Sequence, residues 1–509
     1  MGYSFDVSPE KTFPLEPPPQ NREKRIRPPS HRKPDSEHFN APTPSFHPEL
    51  QEEIPTVHPR TNWSHQPWLL IGAGDLITER KQAAEEGLDL AAVDGEFREL
   101  AALDLSVEEN QQRAEALLER IQDLPTLPGY SHSEPSDLEG IRGQRPAPVT
   151  LPHCTAGKAE LRRKALGGWQ GRSSGCLLGK PVEGKRSWQI ETYLKAQDRW
   201  PLDRYFSLTA PEEVKKECGF SGNWPALFEE GITCMVEDDD TNYTATGLAI
   251  VKQFGHDFKP ADVASFWLGN IPIFHLCTAE RAAYKNLVDG IAPPASASYH
   301  NVYREWIGAQ IRADFFGYVN PGNPERAAEY AWRDASISHI KNGIYGEMWV
   351  AAMIAAAYVC DDIGTIIRAG LAQIPASSRL AGAIRHILDL RSEGLSYDAA
   401  IADLRTRWDE NIGHDWCHTI SNAEIVALAL LWGESDFERT VCYSVMPGFD
   451  TDCNGATSGS VLGVMIGADR LPSKWIAPLN DTLLTGVAGY HRVSLTQMAE
   501  ETVGLMKET

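Results

Sequence analysis

A run of four consecutive acidic residues, Glu237 to Asp240, is the strongest chemical signal in the sequence. It is followed at once by a segment, 241–254, whose apolar residues recur at the spacing of a helix. The acids therefore lie at a predicted helix N-terminus, where the helix dipole offsets their repulsion by only about 0.3–1 kcal/mol per charge. A divalent cation would offset far more, and carboxylate and hydroxyl oxygens are its preferred ligands. From this motif alone, a cation site and a solvated acidic turn remain equally open.

A second acidic motif, at residues 448–455, reads GFDTDCNG. Its two aspartates, Asp450 and Asp452, flank Thr451 and are followed by Asn454. Such a segment can present several oxygens to one ion. An Asp-x-Asp pair is common by chance, so this motif gains its weight from its surroundings.

Glycines recur every four residues in two segments, one of which directly follows the second acidic motif. The first set is Gly167, Gly171, Gly175 and Gly179, and the second is Gly455, Gly459, Gly463 and Gly467. A spacing of four places each set on one helix face, where each glycine costs about 1 kcal/mol relative to alanine. Close approach of two helix backbones would offset that cost. We therefore predict two central helices packed against each other, with the loops 180–183 and 448–454 at one shared cleft.

Three stretches of the sequence resemble the signatures of the ADP-ribosylglycohydrolase family. The stretch GRSSGCLLGKPVE at 171–183 resembles the opening signature of that family, and EDDDTNYT at 237–244 resembles its Thr-Asp-Asp-Thr metal motif. The stretch GFDTDCNGATSG at 448–459 resembles its Asp-x-Asp-Thr metal motif. The order and the wide spacing agree, and the ending LPSKWIAPLND fits as well, so the resemblance covers about residues 156–487.

The resemblance implies an all-α fold with two Mg²⁺ ions in a cleft, with Mn²⁺ as the alternative ion. The metal-binding residues that it implies are Asp238, Asp239, Asp240, Asp450, Asp452 and Cys453. Glu183 corresponds to the acidic residue near the scissile bond in the family. We accordingly assign catalysis to Glu183, Asp239 and Asp452.

The resemblance also implies a substrate-binding set at a helix start, in the stretch SHIKNGIYG. This set comprises His339, Asn342, Gly343 and Tyr345, and we add Asn454 of the second acidic motif. For His339, a core or helix-capping histidine is an equal alternative. Arg312 resembles a family arginine that is as often structural as substrate-facing.

The sequence departs from the family pattern at three positions. Cys176 replaces an aspartate of the opening signature, and Asp238 and Cys453 each replace a threonine of a metal motif. A neutral thiol is a poor Mg²⁺ ligand, so Asn454 or Thr451 would have to supply the missing oxygen. We therefore expect an acidic site of altered geometry, in which the two cysteines can change the choice of metal.

Two further groups of residues allow other chemistry. The first has the composition of a zinc site and comprises His414, Asp415, His418 and Asn422. Because the acid-rich motifs favour ions that bind oxygen, we assign this group a supporting or structural role. A cysteine nucleophile at position 176 or 453 is another alternative, with His418 or His339 as its base. No local pairing of either cysteine with a histidine supports it, and we favour the metal route.

Composition and charge exclude several classes of protein. The 509 residues carry a formal net charge of −22, which argues against a general nucleic-acid binder and against attraction to an anionic membrane. No stretch approaches the ~20 apolar residues of a membrane helix, and the N-terminus has no signal-peptide pattern. The nine cysteines include no CxxC pair and fit reduced thiols. We therefore expect a cytoplasmic protein.

The pattern along the chain predicts three regions. These are an extended tail over 1–65, a helical extension with a helical hairpin and a loop over 66–155, and an all-α catalytic domain over 156–509. The first 60 residues contain 13 of the 34 prolines, which is incompatible with helix formation. The tail is either a flexible leader, which we favour, or an arm anchored by Phe13, Phe46 and Trp63. Such an arm would wrap over its own domain or over a neighbouring subunit, and in the second case it would join subunits into a homo-oligomer.

Three functions fit these observations. The first is a Mg²⁺-dependent hydrolase that removes ADP-ribose from a protein side chain or nucleic acid by cleaving an N- or O-ribosidic bond. The second is the same chemistry on a small nucleotide or NAD-derived metabolite. The third is an inactive structural or binding member of the family. The retained aspartates of both metal motifs, together with Glu183, favour an enzyme in which a carboxylate steers a metal-activated water.

Overall fold

The computed structural model describes residues 69–220 and 224–507, and this part of the chain is all-α, as predicted. It contains 22 α-helices and one antiparallel pair of short strands, β1 (Thr482–Leu484) and β2 (Arg492–Ser494). No helix within these two ranges is long and apolar enough to cross a bilayer. The predicted tail over 1–65, its anchors Phe13, Phe46 and Trp63 and the proposed subunit-joining arm lie outside the described residues.

The helices follow one another along the chain with short connections. Before residue 155 they are α1 (Ala73–Glu85), α2 (Asp94–Ala101), α3 (Glu108–Ile121) and α4 (Leu138–Gln144). The next are α5 (Lys158–Gly179), α6 (Ser187–Lys195), α7 (Glu212–Cys218), α8 (Asp239–Phe254), α9 (Pro260–Asn270), α10 (Thr278–Val288), α11 (Asp314–Tyr318), α12 (Pro324–Ala335) and α13 (Lys341–Ala357). The last are α14 (Ile363–Leu371), α15 (Arg379–Ser392), α16 (Tyr397–Leu404), α17 (Gly413–Cys417), α18 (Thr419–Gly433), α19 (Phe437–Val445), α20 (Thr451–Ile466), α21 (Ser473–Ile476) and α22 (Leu495–Leu505).

The two glycine-bearing helices, α5 and α20, lie in the centre of the fold and run antiparallel with their backbones in contact. A Cβ atom added to Gly171 would lie 2.1 Å from the carbonyl oxygen of Gly459, and one added to Gly459 would lie 2.2 Å from that of Gly171. The pair Gly175 and Gly455 shows the same reciprocal contact, at 2.0 and 2.3 Å. The predicted close packing of these helices is confirmed, because no side chain larger than hydrogen fits between them.

This packing brings the end of α5 to the start of α20. Thr451, the first residue of α20, donates its hydroxyl to the backbone carbonyl of Gly179, the last residue of α5, at 2.9 Å. A 3-10 turn, Lys180–Val182, continues from α5 and is followed by Glu183. The loops 180–183 and 448–454 therefore meet at one place, as the glycine spacing predicts.

The segment expected to form a helical hairpin forms three helices, α1 to α3, which have a small hydrophobic core of their own. Leu76 of α1, Phe97 of α2 and Leu117 of α3 are buried in a cluster separate from the main core. Val302, from the region between α10 and α11, joins that cluster. The extension is therefore packed onto the rest of the described fold through apolar side chains.

We predict that Gly171→Ala lowers the free energy of unfolding by about 1–3 kcal/mol, because its Cβ would collide with the backbone of α20. Gly382→Ala is the matched control, since Gly382 lies within α15 and a Cβ there meets no atom within 4 Å. That substitution should instead stabilise the protein by about 0.5–1 kcal/mol. Urea denaturation of both variants checks the prediction, and a stabilising Gly171→Ala would contradict it.

Candidate metal centre

The first acidic motif caps helix α8. Asp238 is the N-cap residue, and its Oδ1 accepts a hydrogen bond from the backbone N–H of Asp240 at 2.9 Å. Its other oxygen, Oδ2, makes a short ion pair with the ammonium of Lys180. Burial disfavours the charge on Asp238, but Lys180 and the hydrogen bonds to this carboxylate together hold the pKa of Asp238 below its ordinary value.

The ammonium of Lys180 lies between the two acidic motifs. Its Nζ atom is 3.7 Å from Oδ2 of Asp452 and 3.5 Å from Oε2 of Glu183. The side chain of Lys180 is 23% exposed and that of Glu183 is 45% exposed. Glu183 therefore lies where the cluster opens to solvent. The remaining carboxylates, Asp238, Asp239, Asp240, Asp450 and Asp452, are called the acidic cluster below.

Asp240 is held rigidly by a buried arginine. Nη2 of Arg172 lies 3.0 Å from Oδ1 of Asp240, and Nη1 lies 2.9 Å from Oδ2 of Asp314. Arg172 also donates from Nε to the hydroxyl of Thr244 at 2.6 Å, one turn further along α8. The guanidinium and both carboxylates are fully buried. Because Arg172 lies on α5, these contacts fix α8 against α5.

The second acidic motif is held by Asn422 of α18. Its Oδ1 accepts hydrogen bonds from the backbone N–H of Asp450 at 3.1 Å and from Nδ2 of Asn454 at 2.8 Å. Oδ1 of Asn454 is buried without a hydrogen-bond partner, whereas the hydroxyl of Thr451 is engaged with α5. Of the two residues expected to replace the oxygen lost at Cys453, Asn454 is the one with a free oxygen.

Burial and mutual repulsion make the acidic cluster unfavourable without a cation. Burial raises the pKa of Asp450 to about 6. Burial, with neighbouring carboxylates, also raises the pKa of Asp239 and of Asp452 well above the ordinary value. Oδ2 of Asp240 is buried without a hydrogen-bond partner, despite the ion pair that its other oxygen makes. This set of hard oxygen donors fits a divalent cation such as Mg²⁺.

Possible metal-binding atoms form two compact groups, one at each acidic motif. One ligand atom from each of Asp450, Asp452 and Cys453 lies within 4.8 Å of the others, and the same holds for Cys176, Asp238 and Asp240. Each group combines two carboxylates with one buried thiol. Five of the six metal residues predicted from the sequence fall in these two groups, which lie at the end of α5 and the starts of α8 and α20, and Asp239 belongs to neither group.

The two cysteines of the site are poor nucleophiles. Burial and the neighbouring Asp238 raise the pKa of Cys176 well above its ordinary value. Burial and Asp240 do the same for the pKa of Cys453. Since the thiolate is the reactive form, the environment works against the cysteine alternative.

His339 belongs to a buried ionic group. The residue is fully buried, and its Nδ1 pairs with the hydroxyl of Ser338 at 2.9 Å. Arg312 lies beside it, ion-paired with Asp334 and, at 2.7 Å, with Glu280. Burial and Arg312 lower the pKa of His339 well below its ordinary value. These contacts favour the core alternative for His339 and a structural role for Arg312, while Nε2 of His339 is buried without a hydrogen-bond partner.

The other residues of the predicted substrate-binding helix contact the N-terminal extension. Asn342 donates from Nδ2 to Oε1 of Glu134 at 2.9 Å, and Tyr345 donates its hydroxyl to the carbonyl of Pro135 at 2.5 Å. A Cβ atom on Gly343 would lie 2.7 Å from the carbonyl oxygen of Arg304. The hydrogen bonds of Asn342 and Tyr345 thus fasten the loop between α3 and α4 to α13, an arrangement to which the sequence gives no clue.

The histidine group near the second motif is a hydrogen-bond network. Nδ1 of His414 accepts from Nε1 of Trp306, and Nδ1 of His418 accepts from the backbone N–H of Ile420, each at 3.1 Å. The Nε2 atoms therefore carry the ring protons and point toward Glu85, at 3.1 Å from His414 and 3.6 Å from His418. Glu85, His414 and His418 are close enough to share an ion, but a metal on Nε2 would move the ring proton to Nδ1, which already accepts a hydrogen bond. These contacts favour the structural role.

The match to a family model agrees with the resemblance of the motifs. A family model described as ADP-ribosylglycohydrolase matches residues 157–509. A solved structure titled "ADP-ribosylglycohydrolase-related protein complex" is 18% identical, with a TM-score of 0.38, and the match covers 68% of this chain and 98% of that chain. No curated protein matches the chain.

We predict that Arg172→Met lowers the free energy of unfolding by about 3–5 kcal/mol, because it leaves Asp240 and Asp314 buried without their cation. The matched control is Arg162→Met on the same helix, where the arginine pairs with Glu500 at the surface. That change should cost less than about 1 kcal/mol. Equal losses for the two variants, measured by urea denaturation, would contradict the assignment.

Proposed function

Because this chain belongs to the ADP-ribosylglycohydrolase family, we propose that it is a hydrolase that cleaves the N- or O-ribosidic bond of an ADP-ribosyl substrate. The observation that carries the proposal is the acidic cluster at the junction of α5, α8 and α20, with Glu183 at its mouth. Buried carboxylates are costly to stability, and a group of them with raised pKa values is a candidate for a functional site.

The proposed cofactor is Mg²⁺, with Mn²⁺ as the alternative ion. Its ligands would be Asp239, Asp450 and Asp452, with Oδ1 of Asn454 as a neutral oxygen. The unpartnered, buried Oδ1 of Asn454 supports this set. When bound, Mg²⁺ supplies Lewis acidity, which lowers the pKa of water and orients hydroxyl groups such as those of ribose.

The protein's own residues would perform the remaining chemistry. Glu183, the half-exposed carboxylate of the site, takes the proton of the attacking water as the oxygen forms its bond to the anomeric carbon. The bond from that carbon to nitrogen or oxygen breaks, and its electron pair leaves with the leaving group, which accepts the proton that Glu183 took from the water. The negative charge of the acidic cluster stabilises the oxocarbenium-like transition state.

The first test is metal binding. Calorimetric titration of Mg²⁺ into the metal-stripped full chain should show binding, and Asp452→Asn should weaken it by more than about 10- to 100-fold, the loss typical of a supporting residue in a metal site. ADP-ribose should bind only when the metal is present. Asp469→Asn is the control, because Asp469 is an exposed residue after α20 that pairs with Arg163. The absence of Mg²⁺ and Mn²⁺ binding to the unmodified protein would overturn the metal-dependent proposal.

The second test is catalysis. Glu183→Gln should lower kcat by about 100- to 10,000-fold, because it removes the general base, while Mg²⁺ and ADP-ribose binding stay unchanged. Glu191→Gln on α6 is the control, since Glu191 is comparably exposed and pairs with Lys195. The substrates are peptides that carry ADP-ribose on a guanidinium nitrogen or on a hydroxyl oxygen, and an N-ribosyl nucleotide. Cleavage of the nucleotide alone would replace the ADP-ribosyl substrate with a small metabolite, and full activity of Glu183→Gln would refute the role of Glu183.

A further inference from the structure

We propose that the Lys180 ammonium is a built-in cation of the metal centre, so that the site takes one divalent ion rather than two. The inference rests on the proposed function, because it concerns the same acidic cluster. It follows from the position of Lys180, from the number of carboxylates that have a built-in partner, and from the way the backbone of Lys180 is fixed.

The position of Lys180 is that of a bridging cation. Its Nζ makes a short ion pair with Asp238 and lies 3.5 Å from Glu183 and 3.7 Å from Asp452. These carboxylates belong to different elements, since Asp238 caps α8, Asp452 lies in the first turn of α20 and Glu183 follows the turn after α5. An ammonium is a compact charge with three donors, so one lysine can bridge carboxylates that approach from several sides.

The count of charges leaves room for one divalent ion. Within the acidic cluster, Asp238 is paired with Lys180, and Asp240 is paired with Arg172. Asp239 and Asp450 have no such ion pair with a lysine or arginine among the contacts of the described residues, and Asp452 has only the long contact with Lys180. Three carboxylates remain for a metal, and one of them already shares its charge. A second divalent ion would place two further charges beside an ammonium that occupies the gap between the motifs.

The replacement of a threonine by Asp238 is consistent with this arrangement. A threonine would offer a neutral oxygen, whereas Asp238 brings a charge that needs its own partner. Oδ2 of Asp238 is fully buried and makes no hydrogen bond other than the ion pair with Lys180. The added acid and the lysine therefore neutralise each other inside the site.

The backbone at Lys180 is held in place by the close packing of α5 and α20. A Cβ atom on Gly179 would lie 2.2 Å from the carbonyl oxygen of Thr451, so the backbones of α5 and α20 are in contact one residue before Lys180. The backbone N–H of Lys180 also donates to the carbonyl of Cys176 at the end of α5. The base of the lysine side chain is thus fixed beside the start of α20, and its mostly buried side chain extends to Asp238.

The test measures how many Mn²⁺ ions the metal-stripped full chain binds. Equilibrium dialysis should give one Mn²⁺ per unmodified chain and two per chain for Lys180→Met. An exchange-coupled Mn²⁺ pair, the sign of two ions about 4 Å apart, should appear in the electron paramagnetic resonance spectrum of Lys180→Met and be absent from that of the unmodified protein. Lys180→Gln is a second neutral variant with the same expectation, and Lys180→Arg should retain one ion.

Lys185→Met is the matched control. Lys185 lies in the same loop, but its Nζ donates to the carbonyl of Gly219, away from the acidic cluster. Its variant should bind one Mn²⁺. Two ions in the unmodified protein, or one ion in a folded Lys180→Met and Lys180→Gln, would overturn this inference while the proposed function stands. Absence of Mn²⁺ and Mg²⁺ binding would overturn both.

Discussion

The backbone contact between α5 and α20 is the constraint on which the rest of the site depends. Carbonyl oxygens of one helix lie where the Cβ atoms of the other would be, so the separation of these helices is set by the absence of side chains. Each glycine costs about 1 kcal/mol of helix propensity. In exchange, the contact fixes positions at the site. It holds Lys180, at the end of α5, and Asp452, at the start of α20, within ion-pair distance of each other.

Electrostatics extends that constraint to α8. Carboxylates that are buried together tolerate ionisation only when cations lie beside them. The fold supplies two of these cations from α5 and its following turn, Arg172 for Asp240 and Lys180 for Asp238. Both ion pairs are made by the same part of the chain that carries the glycines. The segment formed by α5 and its following turn therefore provides both the helix packing and the charge balance. A change in either would shift the acidic cluster.

Part of this arrangement could be read from the sequence, because it depends on local spacing. The glycine period predicts the helix pair, and runs of acids at helix starts predict that carboxylates meet there. The contacts of Asn342 and Tyr345 could not be predicted, since Glu134 and Pro135 reach them from a distant loop. The hydrogen bonds of His414 and His418 could not be predicted either. The residue types in this group resemble a zinc site, but they do not show which ring nitrogen already accepts a hydrogen bond. Lys180 is part of the opening signature, but its ion pair could not be predicted, because its partner Asp238 lies on another element.

The fold that supports the site begins before the family match does. Arg304, between α10 and α11, is buried and binds Glu79 of α1 at 2.5 Å and Glu86, at the end of α1, at 2.8 Å. Lys341, the first residue of α13, makes a short ion pair with Glu86 as well. Removing one side of such a buried network leaves uncompensated charges, which typically costs 3–5 kcal/mol. The extension therefore neutralises charges of the region that matches the family, and its helices are part of the structure that holds α13 in place.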